Sequence, residues 1–317
     1  MLCLKDKTVE YREGTLPVVR IEDVPLFDVE KVFDCGQCFR FDRVENSNHE
    51  KEFSGAAMGR YISVAQDGDV VYIYNSTLED YENIWCHYLA LDLDYEDINR
   101  DILSLSDNEA LVDAVKCSSG IRILKQDEWE AVCSFIISQN NNIPRIKKLV
   151  AALSEKCGEA LDVSAMDGHI SKAHLENVGN LYSFPSPEAV MALGIDGLAA
   201  LKTGFRAKYI FDAAEKLCTG KLDLDAVKAA DSTAEAIEML CTVKGIGLKV
   251  ASCALLFGFA RLDAFPIDVW IKKVMAKYFS EDFDHTTLGQ YAGIAQQYLF
   301  YYERYLKSKE EKQRIGT

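Results

Sequence analysis

The sequence has no uninterrupted apolar run of about 18 residues or more, so it contains no candidate membrane-spanning helix. Its first residues lack the apolar stretch of a secretory signal, and no segment is repetitive or of low complexity. The ten cysteines follow no regular spacing, and Cys35 and Cys38 form a CxxC pair without a second pair beside it. We therefore expect reduced thiols, no metal site and no membrane contact.

An excess of basic residues is also missing, although the distribution of charge is uneven. The chain carries 35 Lys and Arg against 50 Asp and Glu, a net charge of −15, which is unusual for a protein that binds nucleic acid. Residues 1–120 account for 11 of the basic and 25 of the acidic residues. Residues 241–280, by contrast, hold six basic and two acidic residues. This segment is therefore a candidate basic patch.

The order of periodic segments predicts an α+β fold. Residues 16–21, 38–43, 60–65 and 70–74 are short β-branched or aromatic runs, whose rapid return favours an antiparallel sheet. An acidic helical stretch follows from residue 78 to 113. We predict an N-terminal antiparallel β domain with this helical extension at 1–115, and an all-helical core at 116–317. The charged end from residue 307 is the one stretch expected to lie outside ordered structure.

A pair of helices joined by a glycine turn is the most informative segment of that core. Residues 233–241 have helical spacing, and residues 248–259 form a nearly all-apolar run typical of a buried helix. Between them lies Val243-Lys-Gly-Ile-Gly247, whose glycines permit positive φ and a tight turn. The backbone N–H groups that begin the second helix suit a DNA phosphate. The pattern predicts a helix-hairpin-helix at about 233–259.

Lys249 and Asp268 are the candidate catalytic pair. Lys249 lies in the first turn of the second helix, where a positive helix terminus and partial burial favour a neutral, nucleophilic amine. A lone lysine there would equally reach solvent or touch a phosphate. Asp268 precedes another helical run, so it is expected to cap that helix and to stabilise cationic intermediates near the lysine. One residue can serve both purposes.

Gly-Ile-Gly-Leu-Lys249 together with Pro266-Ile-Asp268 resembles the hairpin–Gly/Pro–Asp superfamily of DNA glycosylases. Within it, Lys249 and several further segments, spread over most of the chain, are similar to the 8-oxoguanine DNA glycosylase/AP lyase family. No cysteine follows Cys253, which separates the chain from the iron–sulfur members. The resemblance implies a β domain on a helical glycosylase core, with Lys249 as the Schiff-base nucleophile and no cofactor.

The resemblance also implies a set of base-binding residues. The segment Cys35-Gly-Gln-Cys-Phe-Arg40 resembles the family's Gly-Gln-Ser-Phe-Arg, although a glycine there would also suit a turn or bulge. In the family, the glycine carbonyl accepts from N7–H of 8-oxoguanine, a proton that guanine lacks. Cys253, more often a packing residue, and an aromatic stack on the base faces, and an amide reads its edge. The expected base-binding set is Gly36, Cys253, Pro266, Gln296 and Phe300.

Two further motifs imply contacts with the rest of the DNA. Residues 140–145 end a helix at a turn, and resemble the family's Asn-Asn-Asn-Ile-x-Arg motif, in which the asparagine fills the vacated space and the arginine contacts the orphaned cytosine. Gly-Phe-Arg-Ala at 204–207 resembles a motif whose aromatic wedges beside that base, although a phenylalanine alone is more often a core residue. Trp270 replaces a phosphate-binding histidine. The expected DNA-binding residues are Asn140, Arg145, Phe205, Arg206, Gly245 and Gly247.

These observations predict a bifunctional glycosylase that removes 8-oxoguanine, opposite cytosine, from double-stranded DNA and then cleaves the strand. We expect a monomer, located in the bacterial cytoplasm with the nucleoid or, in a eukaryote, in the nucleus. Two alternatives remain open: a glycosylase of the same fold for another damaged base, and a noncatalytic helix-hairpin-helix DNA-binding protein. The second would need neither Lys249 with Asp268 nor the base-binding set.

Overall fold

A computed structural model describes residues 8–315 and begins with a six-stranded antiparallel sheet. The strands are β1 (Val9–Arg12), β2 (Val18–Ile21), β3 (Phe41–Arg43), β4 (Lys51–Ala57), β5 (Arg60–Asp67) and β6 (Val70–Tyr74), in the order β1-β2-β6-β5-β4-β3. In β6, Val71 and Ile73 are buried while their neighbours are partly exposed, as expected for a sheet with one covered face. Phe33 of helix α1 (Val29–Asp34) covers that face and stacks on Phe41 at 4.1 Å between ring centroids.

Fourteen further α-helical segments follow α1 within the described residues. They are α2 (Leu78–Asp80), α3 (Cys86–Tyr88), α4 (Tyr95–Ser104), α5 (Glu109–Cys117), α6 (Glu128–Ser138), α7 (Ile143–Cys157), α8 (Lys172–Glu176), α9 (Pro187–Ala200), α10 (Arg206–Cys218), α11 (Leu224–Ala229), α12 (Thr233–Cys241), α13 (Leu248–Phe257), α14 (Val269–Tyr278) and α15 (Ala292–Ile315). A π-helical turn (Tyr81–Trp85) and two 3-10 segments (Val178–Leu181 and His285–Tyr291) complete them.

Residues 8–315 form two large hydrophobic cores. One joins the sheet to α1 and to the helical residues around Trp85. The other unites the helices from α4 onward, and α13 lies at its centre because its residues 250–257 are all buried. Phe39 and Cys35, from the loop between α1 and β3, belong to this second core. That loop is therefore one place where the sheet region packs into the helical core.

The α+β fold with a helical hairpin core is confirmed, with three differences in detail. Strands β1 and β4 were not predicted from the sequence. Residues 307–315, expected to lie outside ordered structure, continue α15 because this helix runs unbroken to Ile315. Cys86 forms a disulfide, so the expectation of reduced thiols is wrong for this residue, whereas the other described cysteines are free. Within residues 8–315, no helix has both the length and the apolar character to cross a membrane.

Candidate active site

A cavity of about 640 Å³ lies where the α1–β3 loop meets the helical core. Its wall includes all the residues expected to act on the base or the sugar. These are Gly36, Lys249, Cys253, Pro266, Asp268, Gln296 and Phe300. They come from the α1–β3 loop, α13, the segment before α14, and α15. Folding therefore brings together residues up to 264 positions apart in the sequence.

Lys249 is half-buried in the first turn of α13 and faces this cavity. Its Nζ lies 3.4 Å from Ser138 Oγ at the end of α6 and 5.9 Å from the centroid of the Phe135 ring. Among the described side chains, no carboxylate forms an ion pair with it. The amine thus lies near the Ser138 hydroxyl, the Cys253 thiol and an aromatic ring, and without a carboxylate partner it remains available to a ligand in the cavity.

Asp268 caps the N-terminus of α14, where its Oδ1 accepts a hydrogen bond from the backbone N–H of Ile271 at 2.8 Å. The expected capping role is therefore present. Asp268 also lines the same cavity as Lys249, and the charges of both residues affect the pKa of the Cys253 thiol. Burial raises the pKa of Cys253 to about 11, the Lys249 charge lowers it, and the Asp268 charge raises it. At neutral pH Cys253 is a neutral thiol, suited to contact with an apolar surface.

Gln296 lines the cavity and has a buried hydrogen-bond acceptor without a partner among the described residues. The residue is 5% exposed, and its Oε1 is buried without a hydrogen-bond partner among the described residues. Such groups are rare in folded proteins because a buried, unpaired polar atom destabilises the fold. Phe300, one helical turn further along α15, supplies an aromatic surface beside it. A ligand with a donor on its edge and a flat ring would satisfy both.

Gly36 has a φ of +86°, in the left-handed region that favours glycine. An added Cβ would come no closer than 3.7 Å to any neighbour, so its backbone conformation, not lack of space, calls for glycine. Cys35 and Cys38 flank it as buried thiols, and burial raises the pKa of both, that of Cys35 to about 12. Protonated thiols of this kind are poor metal ligands.

A second cavity, of about 680 Å³, lies on the outer side of Lys249 and Asp268. Its rim carries apolar side chains that face solvent: Phe205 is 48% exposed, Leu248 72% and Val269 68%. Large exposed apolar side chains grouped in this way mark a binding surface. Because Phe205 is exposed, it is not a core residue. Its exposure is what the predicted role as a wedge beside the orphaned base requires.

Asn140 and Arg145 are both exposed. Asn140 lines the second cavity, and Arg145 follows it by five residues in the sequence. Asn140 has a φ of +47°, unusual for a residue other than glycine. Arg206 is only 3% exposed, and its guanidinium donates to the backbone carbonyls of Gln139, Asn140 and Thr203. The observed partners of Arg206 are thus protein carbonyls that shape the Asn140 turn. The role of Arg206 in DNA binding stays a prediction.

The two glycines of the hairpin turn, Gly245 and Gly247, have different backbone conformations. Gly245 has a φ of +83°, and an added Cβ would overlap the Tyr209 ring. Gly247 has a φ of −112° and open space around it, so of the two glycines only Gly245 adopts the positive φ that glycine permits. It occupies the N-cap of α13 in an extended conformation and leaves the first N–H groups of that helix without a side-chain cap. These N–H groups are the ones predicted to bind a DNA phosphate, and their role stays a prediction.

Several residues of the cavity wall were not foreseen in the sequence. Ser138 and Phe135 belong to α6, which ends just before the asparagine motif, so helical spacing back from that motif was the available signal. Trp270 lines both cavities, with Lys307 Nζ 4.7 Å and Lys273 Nζ 5.6 Å from its ring centroid. Lys307 was expected outside ordered structure, and no sequence signal linked it to Trp270.

Comparison with known proteins places this arrangement in a family. A family model described as "8-oxoguanine DNA glycosylase, N-terminal domain" matches residues 19–132. A second, "HhH-GPD superfamily base excision DNA repair protein", matches residues 133–288. The curated "N-glycosylase/DNA lyase" of Saccharomyces cerevisiae is 32% identical over 165 residues, which cover 49% of this chain and 41% of that protein. The chain thus matches less than half the length of this relative.

Solved structures match over nearly the whole chain. The structure titled "MBOgg1 in complex with low affinity DNA ligand" is 36% identical with a TM-score of 0.82, and the match covers 95% of this chain and 99% of that one. The Clostridium acetobutylicum 8-oxoguanine glycosylase/lyase, in complex with double-stranded DNA that has cytosine opposite 8-oxoguanine, is 34% identical with a TM-score of 0.81. That match covers 95% of this chain and 98% of the other. The chain belongs to the 8-oxoguanine DNA glycosylase family of the HhH-GPD superfamily.

Proposed function

We propose that this protein excises 8-oxoguanine from double-stranded DNA through a Schiff base on Lys249 and then cleaves the DNA strand at the abasic site. The observation that carries the proposal is the meeting of three groups in one cavity. These are the free amine of Lys249, the unpaired acceptor of Gln296 and the Gly36 loop. A DNA-binding module without catalysis has no use for such a cavity.

The cavity suits a purine extruded from the helix. The Cys253 thiol and the Phe300 ring offer two surfaces to the faces of the base, and the Gln296 amide offers an acceptor to the N–H donors of its edge. Since Gly36 lies in the same wall, its carbonyl is the group that we assign to N7–H of the oxidised base. Guanine presents a lone pair there and is repelled.

The chemistry proceeds at the sugar. The Lys249 amine attacks C1′, the bond from C1′ to the base breaks, and the base departs with the bonding electrons and takes up a proton. The sugar C1′–O4′ bond then breaks, O4′ takes up the proton that the lysine nitrogen has released, and a protonated Schiff base between Lys249 and C1′ forms. The Schiff base makes the C2′ proton acidic, and its loss expels the 3′ phosphate by β-elimination. The carboxylate of Asp268 stabilises the positive charge of these intermediates from the N-terminus of α14.

The second cavity is our proposed contact with the duplex. Phe205 and Asn140 occupy the space beside the extruded nucleotide, and Arg145 contacts the orphaned base, which we take to be cytosine, as in the complex of the Clostridium relative. The hairpin at Gly245 and Gly247 binds a phosphate through the N-terminus of α13. We expect a monomer to suffice, since both cavities are formed by one chain.

Borohydride trapping on a duplex with 8-oxoguanine opposite cytosine tests the proposal. The unmodified protein should give a covalent adduct, and Lys249→Gln should give none. Lys244→Gln is the matched control: it removes an exposed lysine of the same hairpin, so it should weaken DNA binding but keep the adduct. Base release without any adduct would contradict the role of Lys249, and the absence of both would contradict the substrate.

A further inference from the structure

The backbone carbonyls on either side of Gly36 are both held by glutamine side chains. Gln297 Nε2 donates to the carbonyl of Cys35 at 2.9 Å, and Gln126 Nε2 donates to the carbonyl of Gln37 at 2.7 Å. Among the described residues, no hydrogen bond reaches the carbonyl of Gly36 itself. The loop thus has one unpaired carbonyl between two paired ones, in the wall of the cavity that Lys249 also lines.

The side chain of Gln37 fixes the loop from beneath. It is fully buried; its Nε2 donates to the carbonyls of Val32 at 2.8 Å and Arg122 at 2.9 Å, while its Oε1 accepts from the N–H of Leu124 at 2.9 Å. These bonds anchor the loop to α1 and to the extended segment before α6. The position of the loop is therefore set by polar contacts whose partners are all identified.

The two glutamines also connect the loop to the other walls of the cavity. Gln297 follows Gln296, the residue with the unpaired acceptor, on α15. The backbone N–H of Gln126 donates to the carbonyl of Phe257, the last residue of α13, at 2.9 Å. Through these amides, the Gly36 carbonyl is kept in register with the helix that reads the base edge and with the helix that carries the lysine.

We propose that Gln297 and Gln126 are positioning residues that orient the Gly36 carbonyl and so determine the discrimination between 8-oxoguanine and guanine. The proposal rests on the proposed function. A carbonyl held in place attracts the N7–H of 8-oxoguanine and repels the N7 lone pair of guanine. A carbonyl that can rotate loses the attraction and escapes the repulsion. Because Gly36 has no side chain to restrain its own rotation, the orientation depends on its neighbours.

Binding ratios test this in a background that cannot cleave. In Lys249→Gln protein, the dissociation constants are measured for two duplexes that differ in one base, 8-oxoguanine or guanine opposite cytosine. Gln297→Ala and Gln126→Ala should each reduce the ratio of the two constants about tenfold, since one hydrogen bond carries the distinction. The loss should come mainly from weaker binding of the 8-oxoguanine duplex.

The matched control is Ser118→Ala. Ser118 is buried and its Oγ donates to the carbonyl of Tyr298, the residue after Gln297 on the same helix, at 3.1 Å, but it does not touch the loop. Its removal should leave the ratio unchanged. Gln297→Leu, which keeps the volume of the side chain, replaces the alanine variant if that variant does not fold.

An unchanged ratio in the glutamine variants would overturn the proposal, and so would equal weakening on both duplexes, which is the result of general damage to the pocket. A loss of discrimination in the Ser118 control as well would also overturn it. If the Lys249→Gln parent itself binds both duplexes equally, the proposed function fails, and the positioning role fails with it. A selective loss in the two glutamine variants alone supports the assignment.

Discussion

Replacement of Gln296 by leucine should make the free protein more stable and the enzyme less active. Gln296 is 5% exposed, and its Oε1 is buried without a partner among the described residues. An unpaired buried acceptor of this kind costs about 1–3 kcal/mol in stability. Leucine has a similar volume and no acceptor, so we expect the free energy of unfolding to rise by about 1 kcal/mol after allowance for imperfect packing.

The effect on activity has the opposite sign. In the complex that we propose, the Gln296 amide pairs with the edge of the base, and leucine would leave those base groups buried and unpaired. The loss of one or two such hydrogen bonds is worth about 1–3 kcal/mol, which corresponds to roughly a tenfold to hundredfold decrease in kcat/KM for excision of 8-oxoguanine. A variant with higher stability and lower activity separates this residue from ordinary core residues, whose replacement lowers both.

Denaturant unfolding and single-turnover excision from a duplex with 8-oxoguanine opposite cytosine measure the two effects. Gln290→Leu provides the control, because Gln290 is an exposed glutamine just before the same helix. It should change neither quantity appreciably. If Gln296→Leu destabilises the free protein, its amide is satisfied there and the reasoning from the unpaired acceptor is wrong. Unchanged excision would remove Gln296 from base recognition.

Three other substitutions give distinct outcomes. Gly245→Ala should lower thermal stability and DNA affinity, because Gly245 has a φ of +83° and the added Cβ would overlap the Tyr209 ring. Gly247→Ala should change the free energy of unfolding by less than about 0.5 kcal/mol, because Gly247 lies in open, extended backbone. Equal effects of the two substitutions would contradict this account of the turn. Asp268→Asn should retain the N-cap of α14 and leave the free energy of unfolding unchanged, because asparagine caps a helix as well as aspartate does. The same substitution should slow borohydride trapping about a hundredfold, because it removes the negative charge that stabilises the cationic intermediates. An unchanged trapping rate would show that this charge does not contribute to the reaction. Burial raises the pKa of Glu130 from 4.5 to about 7, so the folded protein keeps this proton to higher pH than the unfolded chain does. The free energy of unfolding should therefore fall as pH rises from about 4.5 to 7. Glu130→Gln should flatten this dependence of stability on pH, and an unchanged dependence in the variant would refute the assignment.

Local pattern was sufficient for some elements of the fold and insufficient for others. The strand at residues 70–74 was predicted with its observed bounds, because β-branched and aromatic residues bordered by a turn leave little choice. Strand β4 was missed because its sequence ends in Gly-Ala-Ala, which has weak β propensity. Its place is determined by pairing with β3 and β5 on both sides, a long-range contact that no local pattern contains.

The same division holds for the site. Lys249 and Asp268 were predicted from their places at helix starts, Gln296 and Phe300 were implied by the family resemblance, and all four line one cavity. The partners that hold the site together were not predictable. Gln297 reaches the loop across 262 positions in the sequence, and its amide resembles that of any other glutamine until the fold is known. Spacing finds residues that share one helix face, whereas these contacts join different elements.

The costs in stability are concentrated at the two cavities. Gln296 has an unpaired buried acceptor, and Gly36 and Asn140 hold left-handed backbone, the latter without the freedom of glycine. Leu248 and Val269 expose most of their apolar surface to water. The unpaired acceptor of Gln296, the positive φ of Asn140 and the exposed apolar side chains are unfavourable in the free protein, and the proposed function assigns each of them a partner in the DNA. The proposed function therefore predicts that extrusion of the nucleotide is opposed mainly by unstacking and unpairing of the DNA, and little by rearrangement of the protein.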